Sequence, residues 1–252
     1  KLSDGINAYY PFTFKDNIIL RFEQLANHTS GLARLPENLD LSNEIDPYKN
    51  YGKKEIDEYL KEFLNLENEP GKTYAYSNLG AGLLGYTLGL SQKTSYQNLL
   101  QKFIFNKYKM TSSFTSSRDL GARLVKGQNP NGEPVSNWGF DVLCGAGGIV
   151  STTEDLSKFA YAQFDPTNKE LALTRKVTFK LGENMNIGLG WHIIKSGNGK
   201  DIYWHNGGTG GYSSSMAVNV EDKTAVIILS NVASINDHID GLCIELINET
   251  EK

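Results

Sequence analysis

The sequence predicts an α+β fold: an antiparallel sheet flanked by helices, together with a helical region. Three features of the 252 residues lead there. Apolar residues recur at helical spacing through about 18–165, short alternating runs separated by tight turns follow from about 185, and one more helical pattern closes the chain near 250. Helices first, then paired strands, then a helix argues against alternating parallel βαβ units. No linker, repeat or low-complexity tract divides it, so 1–252 reads as one domain.

Taken in order, Lys1 to Pro11 reads as a loop, and Ile18 to Ala26 carries the apolar spacing of a short helix that stops at Asn27-His28-Thr29-Ser30-Gly31. Gly31 suits a left-handed cap or tight turn there. Polar residues with Pro36 and Pro47 then predict an extended loop. Ile56, Tyr59, Leu60, Phe63 and Leu64 mark an amphipathic helix that ends before Pro70-Gly71. Leu79 to Leu90 predicts a helix rich in glycine, where Gly80, Gly82, Gly85 and Gly89 each cost about 1 kcal/mol relative to alanine. Such a helix is credible where small residues let a neighbour pack closely.

Thr94 or Ser95 is expected to cap a third helix, with Tyr96, Leu99, Leu100, Phe103 and Ile104 facing inward. Residues 111–141 are polar, with Asn129-Pro130-Asn131-Gly132 a turn. Ser151-Thr152-Thr153-Glu154 reads as a capping box before a helix with Leu156, Phe159 and Ala160 inside. Strands are expected at Ile187 to Ile194, Ile202 to Trp204, Met216 to Val220 and Thr224 to Leu229, with turns at Ser196-Gly197-Asn198-Gly199 and Glu221-Asp222-Lys223. The closing helix, Asn236 to Asn248, has Ile239, Leu242, Cys243, Leu246 and Ile247 as its apolar stripe.

A formal net charge of −4 with no basic stripe argues against a nucleic-acid partner, and no apolar run reaches the roughly 18 residues of a membrane span. The four histidines and two cysteines lack metal-ligand spacing, so neither a metal nor another cofactor is expected. Cys144 and Cys243 read most simply as buried free thiols, although a disulfide is compatible with the sequence.

Chemistry concentrates in two places. Trp204-His205-Asn206-Gly207-Gly208-Thr209-Gly210-Gly211-Tyr212 places four glycines and a histidine between two strands. Glycines in a strand mark a bulge or a close approach to the backbone; alone, the stretch is equally a strand corner with a surface histidine. Pro70-Gly71-Lys72-Thr73-Tyr74-Ala75-Tyr76-Ser77-Asn78 precedes the glycine-rich helix. Alone, it is plain helix capping by Ser77 or Asn78.

Together these stretches resemble the serine β-lactamase-like superfamily, in the branch of class C β-lactamases, esterases, D-peptidases and penicillin-binding proteins. Leu25 to Leu32 is similar to the branch's His-Thr-Ser-Gly-Leu segment, and Tyr76-Ser77-Asn78 to its Tyr-x-Asn motif. Gly147 to Thr152 is similar to its Gly-Gly-Leu-x-Ser-Thr turn, and His205 to Tyr212 to the histidine form of its Lys-Thr-Gly strand. The resemblance implies a β-lactamase/transpeptidase-like fold and acyl transfer through a covalent acyl-enzyme on an ester, a D-amino-acid peptide or a β-lactam.

It also implies roles. Tyr76 would serve as general base, Gly208 N–H as half of an oxyanion hole, and His205 as hydrogen-bond partner of Tyr76 or of a substrate carboxylate. Asn78, Asn206, Gly207 and Thr209 would bind the substrate, with Tyr76, Asn78 and His205 expected to line one cleft. His28 is expected to stabilise its turn, and His192 and His238 to be structural. The family's nucleophile lies in Ser-x-x-Lys, and no serine among these residues has lysine at the third position after it. The expectation is therefore that these 252 residues lack the first strands and the nucleophile helix, are inactive alone, and work with a separate or preceding N-terminal segment. Periplasmic or extracellular placement follows from the same resemblance. The alternative is a non-catalytic binding protein that keeps the cleft.

Overall fold

Why the glycine-rich helix forms is answered by what lies against it. In the computed structural model, which describes residues 1–43, 45–118 and 120–250, the chain divides into two compact units. One comprises Lys1–Lys102 with Trp138–Ile149, the other Phe103–Asn137 with Val150–Lys252.

The first unit is helical. It holds α1 (Phe22–Ala26), α2 (Lys53–Glu58), α3 (Asn78–Ser91) and α4 (Tyr96–Leu100). A Cβ on Gly82 would lie 2.6 Å from Leu143 Cδ2, and one on Gly145 would lie 2.3 Å from the Ala81 carbonyl oxygen. The turn at 143–146 thus sits against α3 closely enough that only glycine fits, and that contact offsets the helix propensity lost. Ile6, Leu20, Leu25, Ile56, Leu60, Leu79, Leu83 and Leu143 form one buried core around α3.

Several boundaries differ from expectation. Ile18 to Leu20 is extended rather than helical: a 3-10 turn at Lys15–Asn17 with positive φ at Asp16 and Asn17 precedes it. The Ile6 N–H then donates to the Leu20 carbonyl at 2.8 Å, pinning the stretch to the first loop. The helix from Lys53 widens into a π-helical turn at Tyr59–Phe63. Ser95, not Thr94, caps α4 by accepting the Asn98 N–H at 3.1 Å. A second π-helical turn, Gln101–Phe105, rotates the inward position, so Phe105 is buried and Phe103 is 51% exposed.

The second unit is built on a six-stranded antiparallel sheet in sequence order: β1 (Phe179–Lys180), β2 (Met185–Ile187), β3 (His192–Lys195), β4 (Asp201–Thr209), β5 (Tyr212–Asn219) and β6 (Thr224–Ser230). Strand β1 was not expected, and the run Ile187 to Ile194 is broken by a turn through Gly188-Leu189-Gly190, with φ +77 at Gly190. The helices are α5 (Thr153–Gln163), α6 (Lys169–Thr174) and α7 (Asn236–Glu249).

Successive strand side chains face opposite ways, and the two faces are covered by different helices. Ile193, Tyr203, Met216, Val218 and Ile227 pack with Phe159 and Ala160 of α5. Ile194, Ile202, Trp204, Ala217 and Ile228 pack with Cys243 and Ile247 of α7. Each fully buried isoleucine here contributes roughly 1.5–3 kcal/mol. The apolar stripe of α7 is narrower than expected: Ile239, Cys243 and Ile247 are buried, whereas Leu242 and Leu246 are exposed. Both cysteines are buried free thiols. Helix α5 is capped one residue later than predicted, Thr152 accepting the Asp155 N–H at 3.2 Å. With Thr152 as the cap the third helical residue is Asp155 rather than Glu154, and its carboxylate accepts from the Ser112 N–H, the Ser113 hydroxyl and Lys158.

Candidate active site

The predicted residues fall into two groups, one in each unit. In the first, Tyr76 and Asn78 stand at the start of α3. Ser77 is the N-cap: its hydroxyl oxygen accepts the Gly80 N–H at 2.9 Å and its O–H donates to the Ala33 carbonyl at 2.7 Å. Asn78 is thereby relieved of capping, and its side chain hydrogen-bonds the Tyr48 hydroxyl. The Tyr76 ring lies 4.2 Å from the His28 ring, centroid to centroid, and the Arg34 guanidinium carbon lies 5.4 Å from its centre.

Burial pushes the Tyr76 phenol above its ordinary value, with the Arg34 charge working in the opposite direction. Desolvation disfavours the phenolate and a cation favours it. Tyr48 is likewise raised by burial, with the Asn78 hydrogen bond opposing. A base at Tyr76 therefore depends on nearby positive charge.

In the second unit, His205, Asn206, Gly207, Gly208 and Thr209 form the last five residues of β4. Strand β3 ends at the His192–Trp204 pair, while β5 continues alongside β4 to the Thr209–Tyr212 pair. Beyond Trp204, β4 thus has a strand partner on one side only, among the described residues, and its other edge offers backbone donors and acceptors. The hairpin closes through Gly210-Gly211, where Gly211 takes φ +99 and a Cβ would lie 2.8 Å from Gly127 Cα. The 125–135 loop lies against this end: Tyr212 O–H donates to the Val125 carbonyl at 2.7 Å.

His205 Nδ1 lies 2.6 Å from the Asn206 carbonyl oxygen. A carbonyl only accepts, so the neutral ring carries its proton on Nδ1 and its lone pair on Nε2. Burial holds the ring below the ordinary histidine value, opposed by the Asn206 carbonyl and the Asp240 carboxylate. His192, 5.7 Å away ring to ring, is pushed down to about 4 by burial and by His205. Both rings are neutral at pH 7.

Asn206 turns its amide to α7, donating to Asp240 Oδ2 at 2.6 Å, so what it offers elsewhere is main chain. Asn236, also on α7, donates to the Gly207 carbonyl at 3.0 Å. A Cβ on Gly208 would meet Asn236 Oδ1 at 2.9 Å, and one on Gly207 would meet Ser214 Oγ at 2.8 Å. A side chain at either glycine would thus force a neighbouring side chain of the same unit to shift.

Sequence reading missed Arg34, Tyr48, Asp240 and Asn236 as neighbours of these residues. Arg34 is two residues past the His-Thr-Ser-Gly-Leu match, which was its only signal. The other three are distant in sequence and carry none. His28 does more than hold its turn: its Nδ1 accepts the Ser77 N–H at 3.2 Å, tying it to the Tyr76-Ser77-Asn78 segment.

Residues 1–240 match the family model described as Beta-lactamase. The chain is 27% identical over 251 residues to penicillin-binding protein 4* of Bacillus subtilis (strain 168), covering 90% of this chain and 54% of that protein. It is 22% identical over 253 residues to Protein flp of Staphylococcus aureus (strain COL), covering 92% and 48% respectively. The chain spans about half the length of these curated relatives. Its fold is similar to that of a β-lactamase/D-alanine carboxypeptidase from Pseudomonas syringae, with a TM-score of 0.83 at 21% identity over 100% of this chain and 78% of that one. Among the described residues, no helix is long and apolar enough to cross a membrane.

Proposed function

The chain belongs to the beta-lactamase family, and we propose that it supplies the base and acyl-binding residues of a serine hydrolase. The enzyme works through a covalent acyl-enzyme on an ester, a D-amino-acid peptide or a β-lactam. The nucleophilic serine comes from a Ser-x-x-Lys segment outside these 252 residues. Its Oγ attacks the acyl carbonyl carbon while its proton passes to the Tyr76 oxygen, which enters the step as the phenolate favoured by a neighbouring cation. The resulting phenol then returns that proton to the leaving oxygen or nitrogen as the bond to the acyl carbon breaks. Water enters by the same exchange and releases the acid.

Gly208 N–H shares the developing oxyanion with the serine's own N–H. A donor of that kind is worth about 3 kcal/mol in the transition state. His205 offers its Nε2 lone pair to a hydroxyl or amide proton. Asn78, Gly207, Thr209 and the main chain of Asn206 hold the acyl group.

The observation that carries this reading is the start of α3, where Ser77 takes the cap, the Tyr76 ring lies 4.2 Å from the His28 ring, and the Asn78 amide meets the Tyr48 hydroxyl rather than the helix end. The test is turnover by the full-length protein of three substrates: a p-nitrophenyl ester, nitrocefin and a D-alanyl-D-alanine peptide. Burst release of one leaving group with a mass increase equal to the acyl group supports the reading. A second reading is a binding protein that keeps the cleft without the nucleophile, and the sequence preceding Lys1 separates the two: a Ser-x-x-Lys there supports the enzyme. Saturable binding with no turnover and no adduct would establish the binding protein.

A further inference from the structure

Resting on the hydrolase reading above, we infer that Arg34 is a specificity-determining residue, whose guanidinium receives a carboxylate carried by the substrate beside the Tyr76 phenol. The first ground is placement. The guanidinium carbon lies 5.4 Å from the centre of the Tyr76 ring, and the side chain is exposed. An arginine resting on an aromatic face keeps its planar fork of N–H donors directed outward, where it matches a carboxylate with two parallel hydrogen bonds.

The second ground is that the main chain fixes this position. The Leu79 N–H, in the first turn of α3, donates to the Arg34 carbonyl at 3.1 Å, and the Ser77 hydroxyl donates to the Ala33 carbonyl at 2.7 Å. Arg34 is therefore anchored to the segment that carries both Tyr76 and Asn78. A cation on a free loop would have no such register with the phenol.

The third ground is charge. His205, the candidate partner on β4, is neutral at pH 7 because burial holds it down, whereas a guanidinium is charged at every accessible pH. An anionic substrate needs a permanent cation near the reacting carbonyl, and Arg34 brings one to the base. The substrate class that follows is an acyl compound with a free carboxylate only a few bonds from the scissile carbonyl, such as a dicarboxylic half-ester.

The test compares mono-p-nitrophenyl glutarate with p-nitrophenyl valerate, which differ in little but the terminal carboxylate, on the full-length protein. In Arg34→Gln the ratio of kcat/KM values, glutarate ester over valerate ester, falls roughly 10-fold or more, with the loss in KM. Arg34→Lys restores part of the ratio, and the preference shrinks in 0.5 M NaCl because an exposed charge is screened. Equal loss on both esters, or an unchanged ratio, overturns the assignment. Should the wild-type protein hydrolyse neither ester, the hydrolase reading is judged by nitrocefin and the D-alanyl-D-alanine peptide, while Arg34 is judged by glutarate binding in calorimetry. Binding that weakens roughly 10-fold in Arg34→Gln supports the carboxylate site; equal or undetectable binding overturns it.

Discussion

The His28 ring lies 4.2 Å from the Tyr76 ring, and the same imidazole accepts the Ser77 N–H through Nδ1 at 3.2 Å. One buried side chain therefore sets both the ring and the main chain of the Tyr-x-Asn segment. His28 itself adopts φ +57, and its carbonyl accepts the Ala75 N–H at 2.9 Å, so the two strips of chain are tied at both ends of the residue.

His28→Phe keeps an aromatic ring beside Tyr76 but leaves the buried Ser77 N–H without its acceptor. The expected cost is about 1–3 kcal/mol in urea denaturation. A midpoint equal to wild type would mean that His28 does not hold the segment.

Tyr76→Phe removes the proposed base and retains the packing of the ring. Acylation of the full-length protein is expected to slow roughly 100-fold or more, with stability within about 1 kcal/mol of wild type. Rapid-quench measurement of the acylation step checks this. An unchanged rate would take Tyr76 out of the mechanism.

Gly208→Ala places a Cβ 2.9 Å from Asn236 Oδ1, and Asn236 yields only by loosening its hydrogen bond to the Gly207 carbonyl. The single substitution should cost about 1–3 kcal/mol, the usual range for overpacking a filled site. In Gly208→Ala/Asn236→Ala, where the clash is gone, the combined loss should be smaller than the sum of the single losses. Additive losses would show that the contact does not explain the glycine.

Stability should rise with pH through the range in which the sheet histidines differ between folded and unfolded chain. His192 is held at about 4 when folded, against an ordinary 6.5. Between those values the unfolded chain binds the proton and the folded chain does not, so the contribution is complete above 6.5 and is lost as pH falls toward 4. His205, also depressed, acts in the same direction. His192→Gln is expected to flatten the urea midpoint between pH 4.5 and 7. A slope equal to wild type would contradict the assignment.

Periodicity made most of the fold legible, and failed where one residue altered the phase. The glycine-rich helix, β6 and the closing helix follow from apolar spacing and turn residues. The strand expected at Ile202 to Trp204 instead runs on through the glycines to Thr209 as β4, and β5 starts at Tyr212 rather than Met216. Gly188 and Gly190 split one apparent strand in two, and the π-helical turn at Gln101–Phe105 exchanged Phe103 for Phe105 as the buried ring. Backbone detail of that kind is set by packing rather than by spacing.

The candidate residues themselves were legible as motifs, because their chemistry sits in short contiguous runs. Their supports were not: Arg34 and Tyr48 reach the start of α3, and Asp240 and Asn236 reach β4, through tertiary contacts that no local pattern encodes.

Labelling with a fluorophosphonate tests the central claim most directly, since the reagent marks an activated serine whatever the substrate. The full-length protein, treated and then digested for peptide mass mapping, is expected to carry one adduct on the serine of a Ser-x-x-Lys segment preceding Lys1, and that adduct should form far more slowly in Tyr76→Phe. An adduct on any serine within 1–252, or no adduct while ester turnover persists, would contradict the account.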